Sequence, residues 1–388
     1  MHSKLPAVGT SIFSVMSRLA EEHAALNLGQ GFPDFEPPPA LRDALSLHVA
    51  SGKNQYAPMA GVLRLREQIS EKLRRDYGAS LDPGSEITVT SGATEAIFDV
   101  IAALVAPSDE VVVLDPCYDS YEPSILLQGG RAVHVPLDAR DFSIDFARLK
   151  AAISARTRLV IINFPHNPSG AVLSRNDLDE LDRCLRDTDA LLLSDEVYEH
   201  IVFDGREQQS ILRHPGLLAR GFAVGSFGKA YHATGWKVGW VAAPAALSAE
   251  LRKVHQFVTF ATSTAAQHAF ADVLESAPQH LAELPSFYQQ KRDYFARLLS
   301  GSRFKALPVA GTYFMLADYT QLSDEDDVSF ARRLTIEAGV AAIPISVFSA
   351  EPPPLPRIRF CFAKSDALLA EAAERLCALT PEGPWPRR

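Results

Sequence analysis

Between residues 86 and 228 the chain repeats one pattern: a short continuous apolar run, a polar or glycine-rich break, then a stretch with helical spacing. ITVTS (87–91), VVVLDP (111–116), RLVIINFP (158–165), ALLLSDEV (190–197) and GFAVGSFG (221–228) read as strands, several of them short continuous apolar runs. Strands of that kind are buried on both faces, which calls for a parallel sheet covered by helices on each side. After Ser91, Ile97, Val100, Ile101, Leu104 and Val105 fall on one helical face. In 174–187, Ser174 and Asp177 form a capping-box variant that starts a crossover helix. The fold class is therefore α/β, a large and mostly parallel sheet sandwiched by helices.

The flanks read differently. Ile12, Val15, Met16 and Leu19 predict a short helix over 11–23, followed by the irregular arm NLGQGFPDFEPPP (27–39) and helices near 39–50 and 62–77. Further helices are expected over 248–260 and 265–299, the latter broken near Pro278 and Pro285. From 311 onward come strand GTYFMLAD, a helix at 328–338, strand VAAIP, the proline-rich EPPPLP, strand RIRFCF, a helix at 366–379 and the tail PEGPWPRR. That order predicts a small α+β domain. The expected division is an arm at 1–49 that joins the small domain, a large domain at 50–285 and the small domain at 286–388.

Composition narrows the function. With 388 residues, 47% hydrophobic and 22% charged, the chain can bury a sizeable core and is neither disordered nor a disulfide scaffold. A net charge of −9 repels nucleic acid and anionic membrane surfaces, and no run has the length of a membrane span. Four scattered cysteines without a C-x-x-C pair, and no H-E-x-x-H cluster, predict reduced thiols, no metal and a cytoplasmic location.

Several predicted strands end in chemistry-bearing segments that an open parallel sheet would bring to one crevice. SGAT (91–94) opens a helix whose free N–H groups suit a phosphate, although a plain turn reads the same way. Ser226 and Lys237 could join that anion. Asp195 follows a buried strand, where a carboxylate needs a cation or donors, or else serves as a cap or an ion pair. Lys229 lies among small and aromatic residues that could desolvate its amine into a nucleophile, against the commoner exposed lysine. In RIRFCF, period-two alternation puts Arg357, Arg359 and Cys361 on one face without deciding which arginine could grip a carboxylate.

Taken together, NLGQGFPDF, NQYAP, SGATEA, DPCYDSYEP, NFPHNPSG, SDEVYE, SFGKAYHATGWKVGW and IRFCF occur in an order that resembles the class I and II pyridoxal phosphate aminotransferases of fold type I. The branch most similar holds kynurenine aminotransferase, glutamine transaminase K and bacterial methionine aminotransferases. The resemblance implies a seven-stranded large-domain sheet and pyridoxal 5'-phosphate as cofactor. It implies that Lys229 forms the Schiff base, that Asp195 pairs with the pyridinium nitrogen, that Tyr198 and Asn167 bond the ring's 3-oxygen, and that Tyr118 stacks on the ring. The phosphate would take the amides of Ala93 and Thr94, the Ser226 hydroxyl and the Lys237 ammonium. Arg359 would hold the substrate carboxylate with Asn167 and the backbone of Gly31, leaving Arg357 an ordinary surface residue. Tyr56 would reach the phosphate of a neighbouring subunit, implying a homodimer with shared sites.

Lys237 stands where many aminotransferases carry arginine. Phe13, Phe32, Phe260 and Phe348 fall in segments that line the substrate pocket in relatives, while Ala261 replaces a histidine found in some kynurenine aminotransferases. These features favour a ping-pong aminotransferase for methionine first, then aromatic amino acids and glutamine, with a 2-oxo acid as acceptor. The alternatives are kynurenine transamination and β-elimination from cysteine S-conjugates. A cofactor-sensing regulator would need a DNA-binding extension, and a nicotinamide dehydrogenase would need a G-x-G-x-x-G after an early strand; neither is present.

Overall fold

The computed structural model describes residues 3–353, 355–381, 383 and 385; Pro354 of EPPPLP and parts of the final tail lie outside them. The five apolar runs lie in one seven-stranded sheet, ordered Ile87–Thr90, Gly239–Ala242, Gly221–Ser226, Leu191–Asp195, Thr157–Asn163, Glu110–Asp115 and Arg131–Pro136. From Gly221–Ser226 to Arg131–Pro136 every pairing is parallel. Gly239–Ala242 runs antiparallel to both its neighbours.

Two of the seven strands are not among those read from the sequence. Arg131–Pro136 is a sheet edge, largely half-buried or exposed, and so it tolerates Arg131, His134 and a closing proline. Gly239–Ala242 is four residues long and starts on a glycine, because a Cβ there would meet the Gly92 carbonyl carbon at 2.8 Å and the Ala93 nitrogen at 2.9 Å. The last strand of the sheet thus packs directly beneath the turn that opens the helix Gly92–Leu104.

Helix starts follow local chemistry. Ser174 and Asp177 close the expected reciprocal capping box of Arg175–Leu185. Pro278 separates Thr264–Ser276 from Gln279–Leu299, but the expected break at Pro285 does not occur. The helix runs through Pro285 because Leu281, Leu284, Tyr288 and Phe295 are buried along it, and that packing outweighs the loss of one backbone donor.

The C-terminal part builds a four-stranded antiparallel sheet of Ile343–Pro344, Arg357–Cys361, Phe314–Asp318 and Lys305–Ala306. The arm is stitched to this region: Leu26–Asn27 pairs in parallel with Val340–Ala341, and the Cys361 N–H donates to the Leu28 carbonyl. Among the described residues no helix is long and apolar enough to cross a membrane.

Candidate active site

The carboxyl ends of the parallel strands point at one cavity of about 340 Å³. Asn163, Asp195 and Ser226 end three adjacent strands, and the Ser91–Thr94 turn opens beside them. Gly31 and Phe32 of the arm, with Phe314 and Arg359 of the small sheet, close the cavity from the other side.

One end of the cavity is an anion cup. Gly92 adopts φ +76°, which a side chain resists, and the Ser91 side chain leaves the helix N-terminus uncapped. The first-turn amides of Ala93 and Thr94 therefore have no partner within the helix. Lys237, itself left-handed at φ +54°, brings its Nζ within 3.3 Å of where a Gly92 Cβ would stand. Ser226 lines the same end.

At the floor, Asp195 is 4% exposed. Its Oδ2 accepts from the Tyr121 hydroxyl at 2.7 Å, and its Oδ1 accepts from the Val197 N–H at 3.4 Å. Burial pushes the carboxyl up to about 6, against the opposing pull of Tyr121, Val197 and the Lys229 charge. Lys229 follows the strand end and donates to the Gly31 carbonyl at 3.2 Å, with its ammonium 5.7 Å from the Tyr198 ring centroid and 5.9 Å from that of Tyr313. Burial lowers this amine to about 8, helped by the Arg359 and Lys237 charges and opposed by Asp195. Tyr198 is buried edge-on against Tyr313 and Phe314, and Tyr118 lines the cavity beside Thr94.

The opposite wall carries Arg359, 1% exposed. It donates to Asn167 Oδ1 at 2.7 Å and to the Gly29 carbonyl at 2.9 Å, while its buried Nε has no partner. Its guanidinium carbon lies 3.9 Å from the Phe314 ring centroid and 5.2 Å from that of Phe13. Among the described residues no carboxylate pairs with it, so the cation is held by aromatic faces and neutral acceptors and is open to an incoming anion. Arg357 does not reach the cavity. It is half-buried, not an ordinary surface residue: it donates to the Ala139 carbonyl at 2.7 Å and its Nε is buried without a partner.

The cavity thus gathers Phe13, Gly31, Phe32, Ala93, Thr94, Tyr118, Asn167, Asp195, Tyr198, Ser226, Lys229, Lys237 and Arg359. The Gly31 carbonyl accepts from Lys229 and from the Tyr313 hydroxyl at 2.8 Å; a carboxylate, itself an acceptor, would use the Gly31 N–H. A Cβ on Gly31 would strike the Phe314 ring at 2.8 Å. Phe348 and Phe260 are not brought in, and Tyr56, expected to serve a neighbouring subunit, also lies outside this cavity. Phe348 is buried behind Phe13, ring centroids 5.6 Å apart. Tyr56 and Phe260 pack edge-to-face on the outer surface, 86% and 42% exposed.

Sequence reasoning missed Tyr121, Asn163 and Phe314. Asn163 donates from Nδ2 to the Asp195 carbonyl at 2.9 Å and accepts the Asn167 N–H at 3.0 Å, so it fixes two site residues at once. Each of the three lies inside a segment already singled out, DPCYDSYEP, NFPHNPSG or GTYFMLAD, but one-dimensional spacing does not show which side chain turns inward.

The profile of the family "Aminotransferase class I and II" matches residues 24–376. Over 374 residues the chain is 53% identical to "Methionine aminotransferase" of Escherichia coli (strain K12), covering 96% of this chain and 97% of that protein. Identity to "Kynurenine--oxoglutarate transaminase 1" of Homo sapiens is 34% over 394 residues, with 92% and 93% covered. Among solved structures, YbdL from Escherichia coli, reported to have a methionine aminotransferase function, superposes with a TM-score of 0.96 at 52% identity, covering 98% of this chain and 99% of that one. N-succinyldiaminopimelate aminotransferase from Mycobacterium tuberculosis gives a TM-score of 0.94 at 38% identity, covering 97% and 99%.

Proposed function

The chain belongs to the class I and II aminotransferases, a pyridoxal-phosphate-dependent family, and from that premise we propose that it transfers the amino group of methionine to a 2-oxo acid in two half-reactions at this cavity. The observation that carries the reading is the joining, in one space, of a desolvated lysine amine, a buried carboxyl, a glycine-built anion cup and a buried guanidinium with no carboxylate partner.

The residues fit the cofactor. The Gly92 turn with Lys237 and the Ala93 and Thr94 amides suits its phosphate, and a ring N–H would give the buried Asp195 the cationic partner it lacks. Tyr118, Tyr198 and Asn167 would hold the ring. Bound pyridoxal phosphate supplies a ring that withdraws the electron pair left when an amino acid loses its Cα proton.

The protein's own groups do the rest. Arg359 binds the α-carboxylate of amino acid and 2-oxo acid alike, stacked between Phe13 and Phe314 so that its fork cannot swing. The Lys229 Nζ takes the Cα proton and returns it, a task suited to an amine lowered to about 8. Asp195 keeps a proton on the ring nitrogen. Lys229, Lys237 and Arg359 are the only cations lining the cavity among the described residues, so nothing there matches a second, side-chain carboxylate. Phe13, Phe32 and Phe314 present an apolar wall, which suits a thioether side chain and agrees with the methionine aminotransferase relative.

The working unit is a homodimer. Tyr56, Phe257 and Phe260 leave an aromatic patch exposed, as a face covered by a second copy would, and Tyr56 would there serve the partner's phosphate. On the sequence reading the compartment is the cytoplasm, where free thiols such as Cys117, Cys184, Cys361 and Cys377 stay reduced.

The test is direct. The purified protein should be yellow, and borohydride should fix the cofactor to the peptide containing Lys229. A colourless protein that ignores added pyridoxal phosphate overturns the reading. In a donor panel methionine should give the highest kcat/KM; a preference for aspartate or glutamate overturns the substrate assignment.

A further inference from the structure

On the face of Gly92–Leu104 that packs against the helix Ala245–Val258, three buried titratable side chains meet: Glu95, Asp99 and His255. His255 Nδ1 lies 2.8 Å from Glu95 Oε1 and 3.5 Å from Asp99 Oδ2, and its Nε2 lies 2.9 Å from the Met59 carbonyl. A carbonyl oxygen can only accept, so Nε2 bears hydrogen. Glu95 in turn accepts the Ser91 N–H and faces the Thr259 hydroxyl, the pattern of an ionised carboxylate, so Nδ1 donates to it. With both ring nitrogens donating, His255 is an imidazolium and keeps no lone pair for a metal, although the three ligand atoms lie within 4.8 Å of one another.

The remaining carboxyl completes the balance. Neither Asp99 oxygen has a hydrogen-bond partner, and Asp99 has no exposed surface. Burial and the neighbouring Glu95 charge push its carboxyl up, despite the opposing His255 charge. Burial also works against charge on His255, yet Asp99 and Glu95 outweigh it and raise the ring. The imidazolium thus lies between two acidic groups, the bonded Glu95 and the buried Asp99.

The cluster joins two pieces that serve the cofactor. Glu95 directly follows Thr94 of the anion cup, and Met59 closes the loop that presents Tyr56. The loop has other anchors, the Val89 N–H to the Ala60 carbonyl at 3.0 Å and the Thr264 hydroxyl to the Gln55 carbonyl, but among the described residues His255 alone bonds both loop and cup helix. We propose that protonated His255 is a positioning residue for pyridoxal phosphate: it clamps the Tyr56 loop to the first turn of the phosphate-binding helix. This rests on the cofactor assignment made above.

Two measurements test it. In 15N-histidine NMR of the holoenzyme at pH 7.5, both His255 ring nitrogens should bear hydrogen, the signals being assigned by their loss in His255→Gln or, should that variant not fold, in His255→Asn or His255→Arg. A bare ring nitrogen overturns the proposal, and this reading does not depend on turnover. In absorbance titrations of apoprotein, His255→Gln should raise the dissociation constant for pyridoxal phosphate about tenfold. Asp99→Asn keeps the side-chain shape and leaves the His255 bonds to Glu95 and Met59 in place, and should change it by less than about twofold. A His255→Gln value within twofold of wild type, or an equal loss in Asp99→Asn, overturns the proposal while wild type still binds. A wild-type protein that takes up no cofactor removes the underlying assignment and the proposal together.

Discussion

The two ends of the large sheet each bury a carboxylate and treat it in opposite ways. At the amino end Glu110, 3% exposed, accepts from Arg131 at 2.7 Å, Arg156 at 2.9 Å and Ser154 at 2.7 Å. Those donors hold it down at about 2, the Ser154 bond contributing most. At the carboxyl end Asp195, equally buried, receives one hydroxyl and one long amide contact and is pushed up to about 6 by burial. A fully paired charge adds stability and is chemically inert. An under-paired charge costs stability until a ligand completes it, which is how a site stores affinity.

Substitutions can break this contrast. The largest effect is expected for Lys229→Ala, which removes the proposed base and covalent anchor: turnover should fall by about 10⁴-fold or more with loss of the yellow absorbance, measured by stopped-assay kinetics and spectroscopy. Asp195→Asn should lower kcat by about 10²–10³-fold and carry a second signature. Because the folded acid has a raised pKa, the native apoprotein binds extra protons between about pH 4 and 6, so that stability is lost as pH rises through that window. The Asn variant escapes the loss. Its apoprotein should be more stable than wild type at pH 8, on the order of 1–3 kcal/mol by urea melts, with the difference fading toward pH 4.

Arg359→Lys keeps a charge but loses the planar fork and the stack on Phe314, so kcat/KM for methionine should fall about 10–100-fold, mostly through KM. The smallest effect on activity belongs to the paired end. Glu110→Gln should leave turnover unchanged and lower Tm by roughly 2–4 °C at pH 7 by calorimetry. Here the folded pKa is depressed, so the contribution exists above the unfolded value and is lost as pH falls toward about 2. The Tm deficit should therefore shrink in acid. An Asp195→Asn apoprotein less stable than wild type at pH 8, or a Glu110→Gln enzyme with lost turnover, would remove the distinction between the two ends.

The legibility of the sequence followed the same division. Strands buried on both faces announce themselves as apolar runs, and the motifs at their ends fixed Asp195, Ser226 and Lys229 by position along the chain. Arg131–Pro136 was hidden because an edge strand need not be apolar, and Gly239–Ala242 because four residues starting on glycine look like loop. Pro285 misled because tertiary burial overrides a local breaker. Within the site, residues that act on the cofactor by type were readable, whereas those that orient others, Tyr121, Asn163 and Phe314, depend on long-range contacts that no local pattern encodes. Spacing alone did not separate Arg359 from Arg357; the family resemblance named Arg359, and the structure sets it between aromatic rings with Arg357 turned to Ala139.

The pairing of Leu26–Asn27 with Val340–Ala341 also has a temporal meaning. On the ribosome the arm emerges first but its partner strand comes about 300 positions later, so at ~5–20 residues per second the arm waits roughly 15–60 s before it can dock. Through that interval Gly31, Phe32 and Phe13 have no small sheet to rest on, and the wall that grips the carboxylate does not exist. The anion cup and Asp195, built from nearer neighbours in the chain, can form earlier. A nascent chain could therefore meet its cofactor before it is able to recognise a substrate.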